Sequence, residues 1–515
     1  MKKLLVVCSI LCAFALTAIA GKDPAGATRT VTGAFRTVYA PDDGSSTTLS
    51  TPPPFGERPV TLFVPDDSPT GYTEFPITLG ADNTFTIEGV PTGSYFLQLD
   101  FMYPSDPTVY SNLIELTAGS PDLSVVSAAR SDLARVTTRT LVTLNITNMQ
   151  PWQAGNQFLI SSSQGDVYER PLIAGLTPPP SPGDTSYIGT FDWSRASTSA
   201  NTPGLPAAAH GDVVFFNQRS MLRIGEGDSA ADLRYASRYA RLTDFTVTDG
   251  TPSTLMASLT ETSMTGRMRA DVRGSEFAAL APEVNPTARP TQDPFGNLSI
   301  SVQAVPHSVQ YPDEPASSAS SLFYFQSLSS TSSNFDYGTF NYPQFHDLLW
   351  AELRQLVYYF DITLRAPGTK EPIELPLAAY VFSAVPMSPS PTDPIAPVLG
   401  PPTVPLINGE DAFAPHAGVG LQPVISWSPP DLGTATSYFV SIYSLSPLEE
   451  GERFPSAAVH SGTSFKIPPG FLTPGHLYYG VISAFQADFD ALNRSIYRLG
   501  TPEYQTGCVI GAFTP

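Results

Sequence analysis

An all-β chain of tandem β-sandwich domains is what three features of this 515-residue sequence predict. Many short runs place β-branched and aromatic residues at every second position, the period of a half-buried strand. These runs are punctuated by 52 Pro and 38 Gly, while only 14% of residues are charged, too few for the outer faces of long helices. Single cores stop growing near ~250 residues and domains usually run to ~100–150, so this length calls for about three or four of them.

Residues 1–20 read as a leader. Met1-Lys2-Lys3 is a short positive start, Leu4 to Leu16 an apolar core, and Ala18-Ile19-Ala20 a small-x-small cleavage site. The apolar run falls short of the ~20 residues a membrane anchor needs. Lipoprotein processing at Cys12 is disfavoured by the bulky Leu11 before it. A cleaved signal peptide is therefore expected, with the mature chain beginning near Gly21 and the protein secreted or at the cell surface. No later segment is apolar for long enough to span a bilayer as a helix. Beyond the leader only Cys508 remains, in the apolar GCVIGAF stretch, where a buried, inert strand residue is expected. The formal net charge of −20 opposes phosphate backbones and anionic lipid, so nucleic acid is excluded as a partner.

In residues 21–130, Arg29 to Tyr39 and Arg58 to Val64 have strand periodicity, with a polar loop from Asp42 to Gly56 between them. Farther on, Phe85 and Ile87, then Tyr95, Leu97 and Leu99, alternate on either side of the turn Gly89-Val90-Pro91-Thr92-Gly93, and two strands joined by that turn are expected. With Phe85, Ile87, Gly89, Val90, Pro91, Gly93, Tyr95 and Leu97 in this spacing, the stretch resembles the carboxypeptidase-regulatory-like (transthyretin-like) β-sandwich. That resemblance implies a packing or binding appendage without catalytic residues.

Residues 131–263 carry strand-like pieces at Thr140 to Ile146, Asn156 to Ser161, Tyr187 to Trp193, Asp212 to Asn217 and Arg241 to Thr248. A helix is conceivable only around Ala230 to Tyr239. The loops Thr177 to Asp184 and Arg195 to His210 are expected to be exposed. Residues 264–386 repeat the style at Asn297 to Val305, Ser321 to Phe325, Leu356 to Leu364 and Ile373 to Ala384. Leu356, Tyr358, Phe360, Ile362 and Leu364 alternate as one strand face, whereas Leu349, Trp350, Leu353 and Leu356 fit a helix, so Asp347 to Gln355 stays open with strand preferred. Both regions are expected to be β-sandwiches of unassigned family.

Residues 387–402, MSPSPTDPIAPVLGPP, are a linker, because repeated proline excludes helix and central strand. A new domain, 403–515, follows. Trp427 ends one alternating run, and Tyr438, Val440 and Ile442 line a second. Then Leu472, Pro474, His476, Tyr478, Gly480, Ile482 and Ala484 recur at every second position. This spacing resembles the tyrosine corner of fibronectin type III domains, in which Leu472 plugs the core, Pro474 turns the chain and the Tyr478 hydroxyl bonds back to the corner backbone. His476 and Gly480 depart from that family's usual Thr and Val. The fold class predicted is thus tandem Ig-like/fibronectin-like sandwiches after the signal peptide.

Catalytic signatures are scarce. Histidines 210, 307, 346, 416, 460 and 476 form no H-E-x-x-H, H-x-H or i, i+4 pair, and there is no G-x-S-x-G, Walker or G-x-G-x-x-G motif. Gly227-Asp228-Ser229 resembles the nucleophile block of GDSL-type esterases, which would need a His base. The Asp-x-x-His partner of that family is missing downstream, and a Gly/Asp/Ser turn is the simpler reading. Asp42-Asp43-Gly44 and Asp66-Asp67-Ser68 offer loop oxygens to Ca²⁺ but lack a spaced D-x-D-x-D-G array. Tyr337 to Tyr342 offers an aromatic platform for sugars or peptides, against the alternative that these rings are core.

No catalytic, cofactor-binding or metal residue is assigned, and no cofactor is expected. Two functions follow. One is a structural, adhesive or ligand-binding role toward protein or carbohydrate surfaces. The other is a secreted hydrolase with a catalytic region in 131–386, which a Ser229–His210 contact would favour.

Overall fold

In the computed structural model of the chain, the described residues are 27–39, 46–51, 60–68, 71–101, 109–171, 175–195, 202–226, 230–291, 297–306, 320–328, 332–346, 350–373, 377–388, 391–446, 453–459, 462–487 and 502–515. The chain is all-β, its strands form several sandwiches, and two short α-helices occur among the described residues.

The first segment contains β1 (Thr28–Tyr39), β2 (Thr47–Ser50), β3 (Val60–Pro65), β4 (Tyr72–Ile77), β5 (Thr84–Pro91), β6 (Tyr95–Phe101), β7 (Val109–Leu116) and β8 (Leu123–Ser127). In one sheet β1 pairs with β2, β5 and β8, and the other runs β4-β3-β6-β7. Val31, Phe35, Leu62, Phe85, Tyr95 and Leu97 fill the space between them. The turn expected from Gly89 to Gly93 is shorter than that: β5 runs on to Pro91, and only residues 92–94 join it to β6. The two strands are not a hairpin, because β5 pairs with β1 while β6 pairs with β3 and β7. Positive φ at Gly93 (116°) lets the chain cross from one sheet to the other there, while Gly89 (74°) sits at the register shift of β5 against β1.

The second segment contains β9 (Leu141–Thr147), β10 (Gln157–Ser162), β11 (Val167–Pro171), β12 (Tyr187–Asp192), β13 (Val214–Ile224), β14 (Ala231–Leu242), β15 (Ser253–Ser258) and β16 (Thr260–Glu261). The sheet β12-β9-β15 faces β11-β10-β13-β14 across a core centred on Trp193, Phe158 and Phe216. Three expectations are corrected here. Ala230 to Tyr239 is strand, not helix, because β14 is hydrogen-bonded to β13 along its length, and such pairing overrides the helix preference of its Ala, Leu and Arg residues. The run Arg241 to Thr248 leaves the strand at Leu242, although Phe245 and Val247 stay buried. Within the loop Arg195 to His210, residues 203–206 are buried rather than exposed: Trp193 Nε1 donates to Gly204 O at 3.0 Å, and Val136 and Leu205 N–H groups tie the segment to the chain beside residue 135.

The third segment contains β17 (Gly266–Arg273), α1 (Gly274–Ala279), α2 (Ala281–Val284), β18 (Arg289–Pro290), β19 (Leu298–Pro306), β20 (Ser320–Ser327), β21 (Asn334–Tyr342), β22 (Trp350–Ile362) and β23 (Leu377–Pro386). From Trp350 onward the ambiguous stretch is strand, with Leu356, Tyr358, Phe360 and Ile362 on its core face. The sheet β20-β19-β22-β23 is covered by β17 and β21, and Phe277 of α1 stacks on Tyr358 at 5.2 Å. The Pro-rich stretch is no free tether. Ile395 is buried against β17, accepting the Arg273 N–H and donating to Asp271 O at 2.7 Å.

The last segment contains β24 (Thr403–Ile407), β25 (Glu410–Asp411), β26 (Val424–Ser428), β27 (Ser437–Ser444), β28 (Arg453–Val459), β29 (Ser464–Lys466), β30 (Tyr478–Ala487) and β31 (Glu503–Phe513). The sheet β25-β24-β26-β29 faces β28-β27-β30-β31, the arrangement of a fibronectin type III-like sandwich. Tyr478 is fully buried, and its hydroxyl accepts the Thr473 N–H at 2.9 Å, closing the tyrosine corner beside buried Leu472. Trp427 lies in the facing sheet, 5.2 Å from the Tyr438 ring.

One hydrogen-bonded sheet passes through all four sandwiches in the order β4-β3-β6-β7-β28-β27-β30-β31-β23-β22-β19-β20-β14-β13-β10-β11, and side pairings of β16 and β18 bring it to 18 strands. Along it the last sandwich sits between the first and the third. Successive cores occupy opposite faces, because alternate residues of shared strands point in opposite directions. On β3, Leu62 faces the first core and Phe63 the last; on β31, Cys508 faces the last and Val509 the third; on β13, Phe216 faces the second and Phe215 the third.

Candidate functional site

The esterase-like Gly227-Asp228-Ser229 lies outside the described residues, as do Asp42, Asp43, Gly44, His307 and His460. His210, the base that Ser229 would need, is exposed and engaged elsewhere: its Nδ1 lies 3.1 Å from Asp132 Oδ2. That carboxylate also meets Arg130 at 2.6 Å, and Arg130 Nε reaches the buried Asp212 at 3.0 Å. Asp212 in turn accepts the Ala207 N–H. The Arg130 ion pairs hold Asp132 below its ordinary carboxylate range. The whole group fastens the chain around Arg130 to the loop from Ala207 to Asp212.

The remaining described histidines are equally structural. His346 stacks on Trp350 (4.5 Å, 9°) and packs against Phe215 and Phe345 at 4.5 and 4.4 Å. Neither ring nitrogen has a hydrogen-bond partner among the described residues, and burial pushes its pKa down to about 3. His416 Nε2 contacts Asp411 O at 2.8 Å, and His476 lies beside Tyr478. No group of three His, Cys, Asp or Glu side chains among the described residues could hold a metal ion.

Two loop carboxylates, Asp66 and Asp249, are taken up by local or cross-loop hydrogen bonds. Asp66 accepts the Ser68 N–H and the Thr73 hydroxyl, which lower its pKa. Asp249 accepts the hydroxyl of Thr137 and the N–H groups of Thr137 and Thr138, which bring its pKa to about 2. Cys508 is fully buried on β31, where desolvation pushes its thiol up to about 12.

Of the two readings of Tyr337 to Tyr342, the rings are core and core rim rather than a platform. Tyr337 packs on Phe325 at 4.8 Å, Phe340 on Phe323 at 5.5 Å, and buried Tyr342 donates to Glu352 Oε2 at 2.6 Å. An aromatic face exists elsewhere, on the shared sheet. Tyr359 and Tyr380 stand directly opposite on β22 and β23, and Tyr443 and Tyr479 stand opposite on β27 and β30, stacked at 5.1 Å. Tyr359, Tyr380 and Tyr443 are 37%, 39% and 40% exposed. One strand, β31, lies between the two tyrosine pairs, and its Gly507 pairs with Ser483 of β30. Desolvation pushes the Tyr380 and Tyr479 hydroxyls up to about 12, which keeps them protonated donors at neutral pH. The signal was in the LVYYF run: if Leu356, Tyr358 and Phe360 face the core, Tyr359 must face out.

No family model and no curated protein matches the chain. Among solved structures it is similar to the FN1–FN3 domains of chicken CNTN1, at 10% identity and a TM-score of 0.13, over 74% of this chain and 97% of that one. It is also similar to a tetra-tandem repeat in the extending region of a large adhesion protein, at 11% identity and a TM-score of 0.13, over 94% and 99%. TM-scores this low mark no common whole-chain arrangement.

Proposed function

We propose that this chain is an exported structural or adhesive protein without a catalytic site, which contacts protein or carbohydrate surfaces through the tyrosine face of its shared sheet. The observation that carries the reading is the set Tyr359, Tyr380, Tyr443 and Tyr479, two cross-strand pairs on a sheet whose strands fix their spacing. Rings flush with a sheet suit flat partners, and tyrosine adds a hydroxyl to its apolar ring. Export rests on the leader Met1 to Ala20. Among the described residues no helix is long and apolar enough to cross a membrane. The first sandwich, with Phe85, Tyr95 and Leu97 buried, fits a carboxypeptidase-regulatory-like appendage that packs rather than reacts.

The test is binding of the purified chain to arrayed neutral polysaccharides and to immobilised extracellular proteins, against a Tyr359→Ser/Tyr380→Ser/Tyr443→Ser variant. At least tenfold weaker binding by the variant is expected. Equal binding by both removes the tyrosine face from the proposal. Turnover of ester, glycoside or peptide substrates that Ser229→Ala abolishes would replace it with the hydrolase.

A further inference from the structure

We infer that the C-terminal sandwich is a clasp: it completes the first and third sandwiches and unfolds with them, rather than hanging from the chain as an independent module. Its core includes Phe63, Tyr72, Phe96 and Leu113 of the first segment. Phe96 meets Phe465 at 5.6 Å and Phe63 meets Phe471 at 6.5 Å, while the Tyr72 hydroxyl donates to Lys466 O at 2.6 Å. Both edges of its larger sheet are closed by strands from elsewhere. β28 pairs in parallel with β7 over Arg453 to Ala458, and β31 pairs with β23 over Glu503 to Thr506. On the third segment's side, Asn285 Nδ2 donates to Val509 O at 2.7 Å.

Without this sandwich, β7 and β23 present open strand edges, and the first sheet exposes an aromatic face. A parallel pairing such as β7–β28 cannot come from a local hairpin and joins parts of the chain far apart in sequence. The clasp thus joins the first sandwich to the third, two bodies that are not consecutive in the chain.

Two measurements on the full chain test this. Cys508, buried in the C-terminal core, reports that sandwich's unfolding by pulsed alkylation along a denaturant series, read on its own peptide. Its midpoint should coincide with that of far-ultraviolet circular dichroism, and Phe96→Ala should lower both together. A separate Cys508 transition that Phe96→Ala leaves in place would overturn the clasp. In the second, Asn112→Cys with Ser456→Cys occupies directly paired positions on β7 and β28. Mild oxidation of the folded double variant should join the two peptides in most molecules. A folded double variant that stays unbridged would overturn it too.

Discussion

The ring of Phe96, on β6 of the first sandwich, meets the ring of Phe465, on β29 of the last, edge-on at 5.6 Å and 64°. Both are buried, so the contact belongs to one core assembled from the first and last segments. Truncating a buried Phe to Ala costs about 3–5 kcal/mol. Phe96→Ala is expected to destabilise the chain by that amount in urea unfolding, with Phe465→Ala costing about as much and the double variant less than the sum of both.

Tyr478 and Thr473 make the corner bond of the last sandwich at 2.9 Å. Tyr478→Phe keeps the ring and leaves the Thr473 N–H without its acceptor, and a loss of about 1–2 kcal/mol is expected. Denaturant midpoints of the two proteins check this, and an unchanged midpoint would show that water replaces the hydroxyl at no cost.

Gly480 stands where the fibronectin pattern usually has Val, and the packing gives the reason. A Cβ at Gly480 would lie 2.9 Å from Ile510 Cδ1 and 3.1 Å from Ile442 Cδ1. Gly480→Val should therefore destabilise by about 1–3 kcal/mol through overpacking. Adding Ile510→Ala should recover part of that loss, as read in a double-mutant cycle.

His346 makes the fold acid-sensitive. Its folded pKa of about 3 lies below the ordinary 6.5, so between these values the unfolded chain binds a proton that the folded chain does not. Its contribution is complete above pH 6.5 and is lost as pH falls toward 3, with a slope of up to about 1.4 kcal/mol per pH unit. His346→Phe should flatten the stability profile across that window in thermal melts, while leaving the Trp350 stack in place.

Asp249 acts lower on the pH scale. Bonds from Thr137 and Thr138 hold it at about 2, below its ordinary 3.8, so its contribution is present above 3.8 and disappears as pH falls through 2. Asp249→Asn should lose stability at neutral pH and show a shallower acid limb. Equal slopes for the two proteins below pH 4 would remove Asp249 from the account.

Much of the strand content was legible because a half-buried strand writes its period into the chain. The run from Leu356 shows it, and so does Tyr95, Leu97 and Leu99. The tyrosine corner was legible for a second reason: Leu472, Pro474 and Tyr478 act on one another across a few residues. Strand β17 was missed because Arg267, Arg269 and Asp271 mask the alternation of Met268, Ala270 and Val272, all three buried. Strand β14 was mistaken for a candidate helix because its Ala, Leu and Arg residues suit a helix, and only its neighbours β13 and β20 impose extension. The tyrosine face was half visible, since Tyr359 could be oriented from its neighbours but its placement beside Tyr380 could not.

By itself, the sequence determined that this chain is all-β, that it carries an acidic charge, and that its last domain has a fibronectin-like corner. Each depends on residues close together in the chain or on simple sums over it. Tertiary structure alone decided that β7 pairs with β28 and β31 with β23, and that Phe63 and Phe465 share a core. Backbone hydrogen bonds between strand edges are nearly blind to side-chain identity, so the choice of partner edge is made by the docking of whole sandwiches.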